Sequence, residues 1–115
     1  MTFEPEFSAS LSRDGDVLSL RLTGELDLAT VPELEAALPR PAAGEVLVID
    51  LRNLSFIDST GIHVLMGLDV SAREQGWSFA LVRSGPDVQR VLDLCHVGDR
   101  VRFVDRPTDA SPALG

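Results

Sequence analysis

Asp58, Ser59, Thr60 and Gly61 put a carboxylate, two hydroxyls and a glycine in a row. That combination suits four kinds of chemistry: attack by an activated hydroxyl, binding of a cation or phosphoryl group, modification of a serine, or capping of a helix. An activated hydroxyl needs a base held beside it. His63 lies one helical turn after Ser59, so proximity is available, but no nucleophile elbow surrounds the serine. A surface histidine near a helix start is the simpler reading. The chain contains no lysine, which argues against Schiff-base chemistry and a lysine-bearing phosphate loop. His63 and His96 are its imidazoles, and the single Cys95 makes no pair with zinc-ligand spacing. Asp27 and Asp58 each follow an expected strand, at loops leading into helices, where an open α/β sheet gathers its functional groups. Two carboxylates are few for metal or phosphoryl-transfer chemistry, and capping accounts for each. No metal, no cofactor and no enzymatic activity are expected.

Ser59 carries two compatible readings. Asp58 or Ser59 is the N-cap of the helix that follows. A serine at that place is also exposed, and its phosphate would add roughly −1.5 to −2 charges and three acceptor oxygens. The helix dipole tolerates a phosphate there, so the fold need not change. A docked partner would meet a clash and the desolvation of a dianion.

The elements that must hold this turn are legible on both sides of it. Val46-Leu47-Val48-Ile49 is an unbroken apolar run, the mark of a fully buried strand, and Asp50 to Asn53 carry it toward the turn. Ile62, Leu65, Leu68 and Ala72 recur at helical spacing, predicting a helix from Ser59 to Gln75 with Gly76 as its stop. Upstream, Phe7, Ala9 and Leu11 alternate with serines as in a half-buried strand. Asp14-Gly15-Asp16 turns the chain into a second strand that starts at Val17 and places Leu18, Leu20 and Leu22 on one face. Gly24 to Leu28 reads as a short loop. Thr30 and Glu33 have the form of a capping box, with Pro32 in the first turn and Leu34, Ala37 and Leu38 as the apolar stripe, ended by Pro39 and Pro41. Downstream, Trp77 to Val82 reads as a strand with Trp77 in the core. Ser84 to Asp87 open a third helix whose core stripe is Val88, Val91, Leu92 and Cys95. Val101 to Val104 form a last strand. Residues 1–6 read as a frayed or edge segment and 107–115 as a disordered tail. The order β-β-α-β-α-β-α-β predicts an α/β fold: one domain over residues 1–106, a mixed sheet with helices packed on it.

Composition sets the outer bounds. At 115 residues, 44% hydrophobic and 24% charged, the chain fits one soluble globular domain. No apolar run approaches the ~20 residues that cross a bilayer, and the N-terminus lacks the form of a signal peptide. One cysteine cannot form an internal bridge, which agrees with a reducing, cytoplasmic setting. The net charge is −8 and every basic residue is an arginine. Without a basic cluster, nucleic acid and anionic membrane are poor partners, and a positively charged protein surface is a better one.

Three stretches together carry a family resemblance: Leu22-Thr23-Gly24-Glu25-Leu26-Asp27, the eight residues from Leu54 to Gly61, and Ser84 to Leu94. Over roughly residues 7–105 the chain resembles the STAS domain in its small stand-alone form, the bacterial anti-sigma factor antagonist. The resemblance implies a monomer or weak dimer that binds an anti-sigma factor, usually a serine kinase, and so frees a sigma factor. It implies that the kinase phosphorylates Ser59, that phosphorylation ends binding, and that a serine phosphatase resets the switch. Asp58, Thr60 and Gly61 would shape the acceptor turn, with Asp27 on the partner-contact surface beside it. Two departures stand out. His63 occupies a place where many relatives carry a small residue, which bears on which kinase docks, and Cys95 to Gly98 differ from the usual wording before the last strand. A second reading keeps the fold but makes the surface from Asp58 to His63 a constitutive contact, in a scaffold or regulatory subunit of a signalling complex or transporter.

Overall fold

The computed structural model describes residues 6–111. In chain order these form β1 (Ser8–Asp14), β2 (Val17–Leu26), α1 (Val31–Ala37), β3 (Val46–Ile57), α2 (Ser59–Gln75), β4 (Ser78–Val82), α3 (Pro86–Leu94) and β5 (Arg102–Val104), with 3-10 turns at Val97–Asp99 and Pro107–Ala110. The five strands lie in the order β1-β2-β3-β4-β5. The β1–β2 hairpin is antiparallel and every later pairing is parallel. The expected single α/β unit with a mixed sheet is the observed one.

The two faces of the sheet differ. Leu18, Leu20 and Leu22 of β2, Leu47, Ile49 and Leu51 of β3 and Leu81 of β4 join Leu34, Leu65 and Leu92 of the three helices in one buried core. The alternate positions Val17, Val46, Val48, Ala80 and Val82 form a second, smaller cluster on the other face, closed by Ala110. β3 is apolar at every position from Val46 to Ile49 because both of its faces are covered.

Strands β2 and β3 run further than their alternation suggests. Residues 24–26 belong to β2, and β3 continues through the segment read as a turn to Ile57. Two register shifts, between Arg21 and Thr23 and between Gly24 and Glu25, each give β3 one extra residue against β2. A single extra residue moves every later side chain to the opposite face. The two shifts therefore bring Leu54 and Ile57 back onto the helix-covered core beside Gly24 and Leu26. Gly24 is required here: its φ is +93°, and a Cβ would sit 3.1 Å from the Phe7 backbone.

Other details correct the expectations. Leu11 is exposed, because β1 is an edge strand whose outer half meets no helix. In α3, Val88 and Leu92 are buried, but Val91 is exposed and Cys95, at the C-cap, is an exposed free thiol. The nine-residue helix ends before its stripe can reach Cys95. Trp77 is buried edge-on to Phe79, with ring centroids 6.5 Å apart, and its Nε1 donates to Gln75 Oε1. The start of the expected tail is ordered: Pro107–Ala110 fold against the sheet, Ala110 is fully buried, and Arg102 Nη2 donates to the Ala110 carbonyl. Residues 1–5 and 112–115, the rest of the segments read as frayed and disordered, lie outside the described residues. Among the described residues no helix is long and apolar enough to cross a membrane.

Candidate functional site

The C-terminal ends of β2 and β3 lie side by side, with Leu26 paired to Ile57, so the loops that leave them emerge together. One loop carries Asp27 and Leu28, and the other carries Asp58 and Ser59. A backbone bond from Asp58 N to Leu26 O, 3.2 Å long, closes the seam.

Asp58 is the N-cap of α2, with extended backbone angles, and its Oδ1 accepts from the Gly61 amide at 3.0 Å. A carboxylate at this place satisfies an otherwise unpaired amide and complements the positive end of the helix. Its other oxygen, Oδ2, accepts from the Leu28 amide at 3.3 Å. One side chain thus ties the β2–α1 loop to the start of α2. Ser59 is the first residue of that helix and is exposed, Thr60 is half-buried, Gly61 is buried and His63 is exposed one turn later. Gly61 is glycine for lack of space: a Cβ would lie 2.9 Å from both Ile57 Cγ1 and Leu26 Cγ and 3.0 Å from the Leu26 carbonyl. Helix α2 therefore begins in direct contact with the strand ends, and Ser59 stands on a fixed base.

Asp27 organises the neighbouring loop. Its Oδ1 accepts from the amides of Ala29 at 3.0 Å and Thr30 at 3.2 Å. The Thr30 hydroxyl turns back toward the loop, accepting from the Asp27 amide and donating to the Glu25 carbonyl at 2.8 Å. The expected capping box is thereby corrected. Thr30 has helical backbone angles and makes no capping bond, because its hydroxyl is already used within the loop. The loop leaves Leu28 73% exposed, the most exposed of the large apolar side chains among the described residues.

The structure thus brings Asp27, Asp58, Ser59, Thr60 and Gly61 to one edge, with His63 above them on α2. Among the described residues no hydrogen bond joins His63 to Ser59 in this arrangement. What it offers is a hydroxyl presented to solvent on a rigid turn, beside two carboxylates already committed to backbone amides. Two concavities lie elsewhere: one of about 980 Å³ on the sheet face opposite the helices, bordered by Ser19 and Arg21, and one of about 350 Å³ bordered by Ser78 and Arg100. Among the described residues no group of three or more His, Cys, Asp or Glu is placed to hold a metal ion.

Sequence reasoning missed two buried carboxylates. Asp50, on β3, is 2% exposed and takes a two-pronged ion pair from Arg52 (Nη2 to Oδ2, 2.7 Å; Nε to Oδ1, 3.0 Å), with the Arg52 amide also donating to it. Arg21, its partner across the strand, adds a contact at 3.9 Å. Burial alone would push the Asp50 carboxyl up, but the bonds from Arg52 and the field of Arg21 outweigh it and hold the carboxyl below its usual range. The one available signal was an arginine two places after an aspartate, which puts both on one face of a strand. Asp69 is buried within α2 and paired to Arg73 at 3.1 Å, the i, i+4 spacing of a helix.

Comparison with known proteins converges on one family. A profile described as the STAS domain matches residues 8–110. An anti-sigma F factor antagonist of Paenibacillus polymyxa is 35% identical over 102 residues, covering 85% of this chain and 86% of that protein. An anti-sigma-B factor antagonist of Listeria monocytogenes is 32% identical over 93 residues, covering 79% and 82%. Among solved structures, an anti-sigma factor antagonist from Mycobacterium paratuberculosis superposes with a TM-score of 0.79 at 24% identity, covering 91% of each chain. SpoIIAA in its unphosphorylated form superposes with a TM-score of 0.65 at 20% identity, covering 84% of this chain and 88% of that one. These two likenesses speak for the fold.

Proposed function

The chain belongs to the STAS domain family, and from that premise we propose that it is an anti-sigma factor antagonist, a non-enzymatic binding protein switched by phosphorylation of Ser59. In the unmodified form the edge made by Asp27, Asp58, Ser59, Thr60, Gly61 and His63 docks on an anti-sigma factor that is a serine kinase, and the sigma factor is freed. Transfer of a phosphoryl group to the Ser59 hydroxyl places a dianion in that interface and ends binding. A serine phosphatase restores the hydroxyl.

One observation carries this reading: Ser59 is exposed at the first position of a helix whose start is locked to two strand ends. An acceptor serine must enter a kinase active site without unfolding its surroundings, and this turn is already held by Asp58 and by the contact of Gly61 with Leu26. The relatives from Paenibacillus polymyxa and Listeria monocytogenes, both anti-sigma factor antagonists, point to the same class of partner. The acidic character of the chain, with net charge −8, favours a basic docking surface on the partner.

Intact-mass spectrometry with site mapping, after incubation with candidate anti-sigma kinases and Mg-ATP, tests the proposal. One added phosphate at Ser59, absent in Ser59→Ala, is the expected result, together with lost binding for Ser59→Asp. No phosphate from any candidate, with Ser59→Asp binding as well as wild type, would instead support a constitutive scaffold subunit.

A further inference from the structure

We infer that Leu28 is the apolar anchor of this docking edge and a determinant of which partner fits, with Asp58 as the positioning residue that holds it in register with Ser59. The inference rests on the function proposed above and deepens it by stating the chemistry of the partner's surface.

Leu28 is an apolar side chain with no cover, 73% exposed, in a loop whose amides from Asp27 to Thr30 are all bonded. Its exposure is therefore a property of a fixed loop. The bond that fixes Leu28 itself comes from the other side of the edge: Asp58 Oδ2 takes the Leu28 amide while Oδ1 takes that of Gly61. The residue before the acceptor serine thus sets both the helix that presents Ser59 and the loop that presents Leu28. A leucine held rigidly at an interface loses little entropy on docking, which is what an anchor requires.

The surroundings of Leu28 state what would receive it. The segment from residue 22 to 39 that carries it holds four carboxylates, Glu25, Asp27, Glu33 and Glu35, and no arginine, and Asp58 adds a fifth bonded to the Leu28 amide. An apolar knob with an acidic surround fits a partner surface made of an apolar socket rimmed by arginine or lysine.

Binding of Leu28→Ala, Leu28→Glu, Leu28→Arg and Asp58→Asn to the kinase that modifies Ser59 tests this, alongside amide exchange at Leu28. Asparagine keeps one acceptor, enough for one of the two amides but not both. Leu28→Ala should lose about tenfold or more in affinity while folding normally, since it changes a surface side chain. Leu28→Arg should lose more than Leu28→Glu, because it sets like charges against each other at the socket rim. Asp58→Asn should speed exchange of the Leu28 amide several-fold and weaken binding. Wild-type affinity for Leu28→Ala, beside a Ser59→Asp variant that no longer binds, would overturn the anchor and leave the proposed function standing. Equal losses for Arg and Glu would overturn the basic rim. If wild type binds no anti-sigma kinase, the parent reading fails and this one with it.

Discussion

Asp50 shows how a charge is kept inside a sheet. Its carboxylate is buried, yet Arg52 and Arg21 hold it below the usual range, so the folded chain binds its proton less tightly than the unfolded chain does. The stabilisation is complete above the unfolded carboxyl range near about 3.9 and is lost as pH falls through the lower, folded value. Asp50→Asn should cost about 1–2 kcal/mol at neutral pH. The loss stays moderate because Arg52 and Arg21 are 44% and 60% exposed and remain solvated without it. Urea unfolding from pH 7 toward pH 2 should show the gap between wild type and variant narrowing; a constant gap would place the effect in shape and not in charge. Gly61 makes a second prediction at this scale. Gly61→Ala gains helix propensity but drives a methyl into Leu26 and Ile57, and should destabilise by about 1–3 kcal/mol. Thermal unfolding of that variant measures it.

At the scale of elements, the start of α1 separates two accounts of capping. If Thr30 and Glu33 formed a capping box, removing either would matter. Here Thr30 serves the loop, so Thr30→Val should cost about 1–2 kcal/mol through the lost bonds to Glu25 and Asp27. Glu33→Ala should stay within about 0.5 kcal/mol, the usual range for a surface change. Equal effects in chemical denaturation would restore the box. The central strand was readable because its apolar run agrees with tertiary packing, and helix α2 because Asp58 and Gly76 mark its two ends. The loop was not, since Thr30 has two ways to spend one hydroxyl and only the neighbouring strand decides. Nor were the lengths of β2 and β3, because bulges break the period-2 signal that reveals a strand. Cys95 misled for a related reason: helical spacing continues on paper beyond the point where the backbone leaves the helix. The turn carrying Ser59 was legible because Asp58, Ser59 and Gly61 mark a helix start by type alone. The bond from Asp58 to Leu28 joins residues thirty apart and leaves no local trace.

The whole molecule is lopsided: three helices cover one face of the sheet, and a single 3-10 turn closes the apolar strip on the other. Ala110→Asp would bury a carboxylate against Val17, Val46 and Ala80, and should cost about 2 kcal/mol or more. A chain ending at Arg106 should bind a hydrophobic dye and tend to associate, because that strip would be bare. Fluorescence titration and light scattering distinguish these outcomes from those for a tail that is only an appendage. The strand order has a further consequence. Each strand lies beside its neighbour in sequence, so none has to wait for a later one to be inserted between strands already paired. On a ribosome, β2 can zip onto β1, β3 onto β2 and β4 onto β3 as each emerges, with modest loop closure at every step. The sheet grows in the direction of synthesis, and the 3-10 turn seals its open face last.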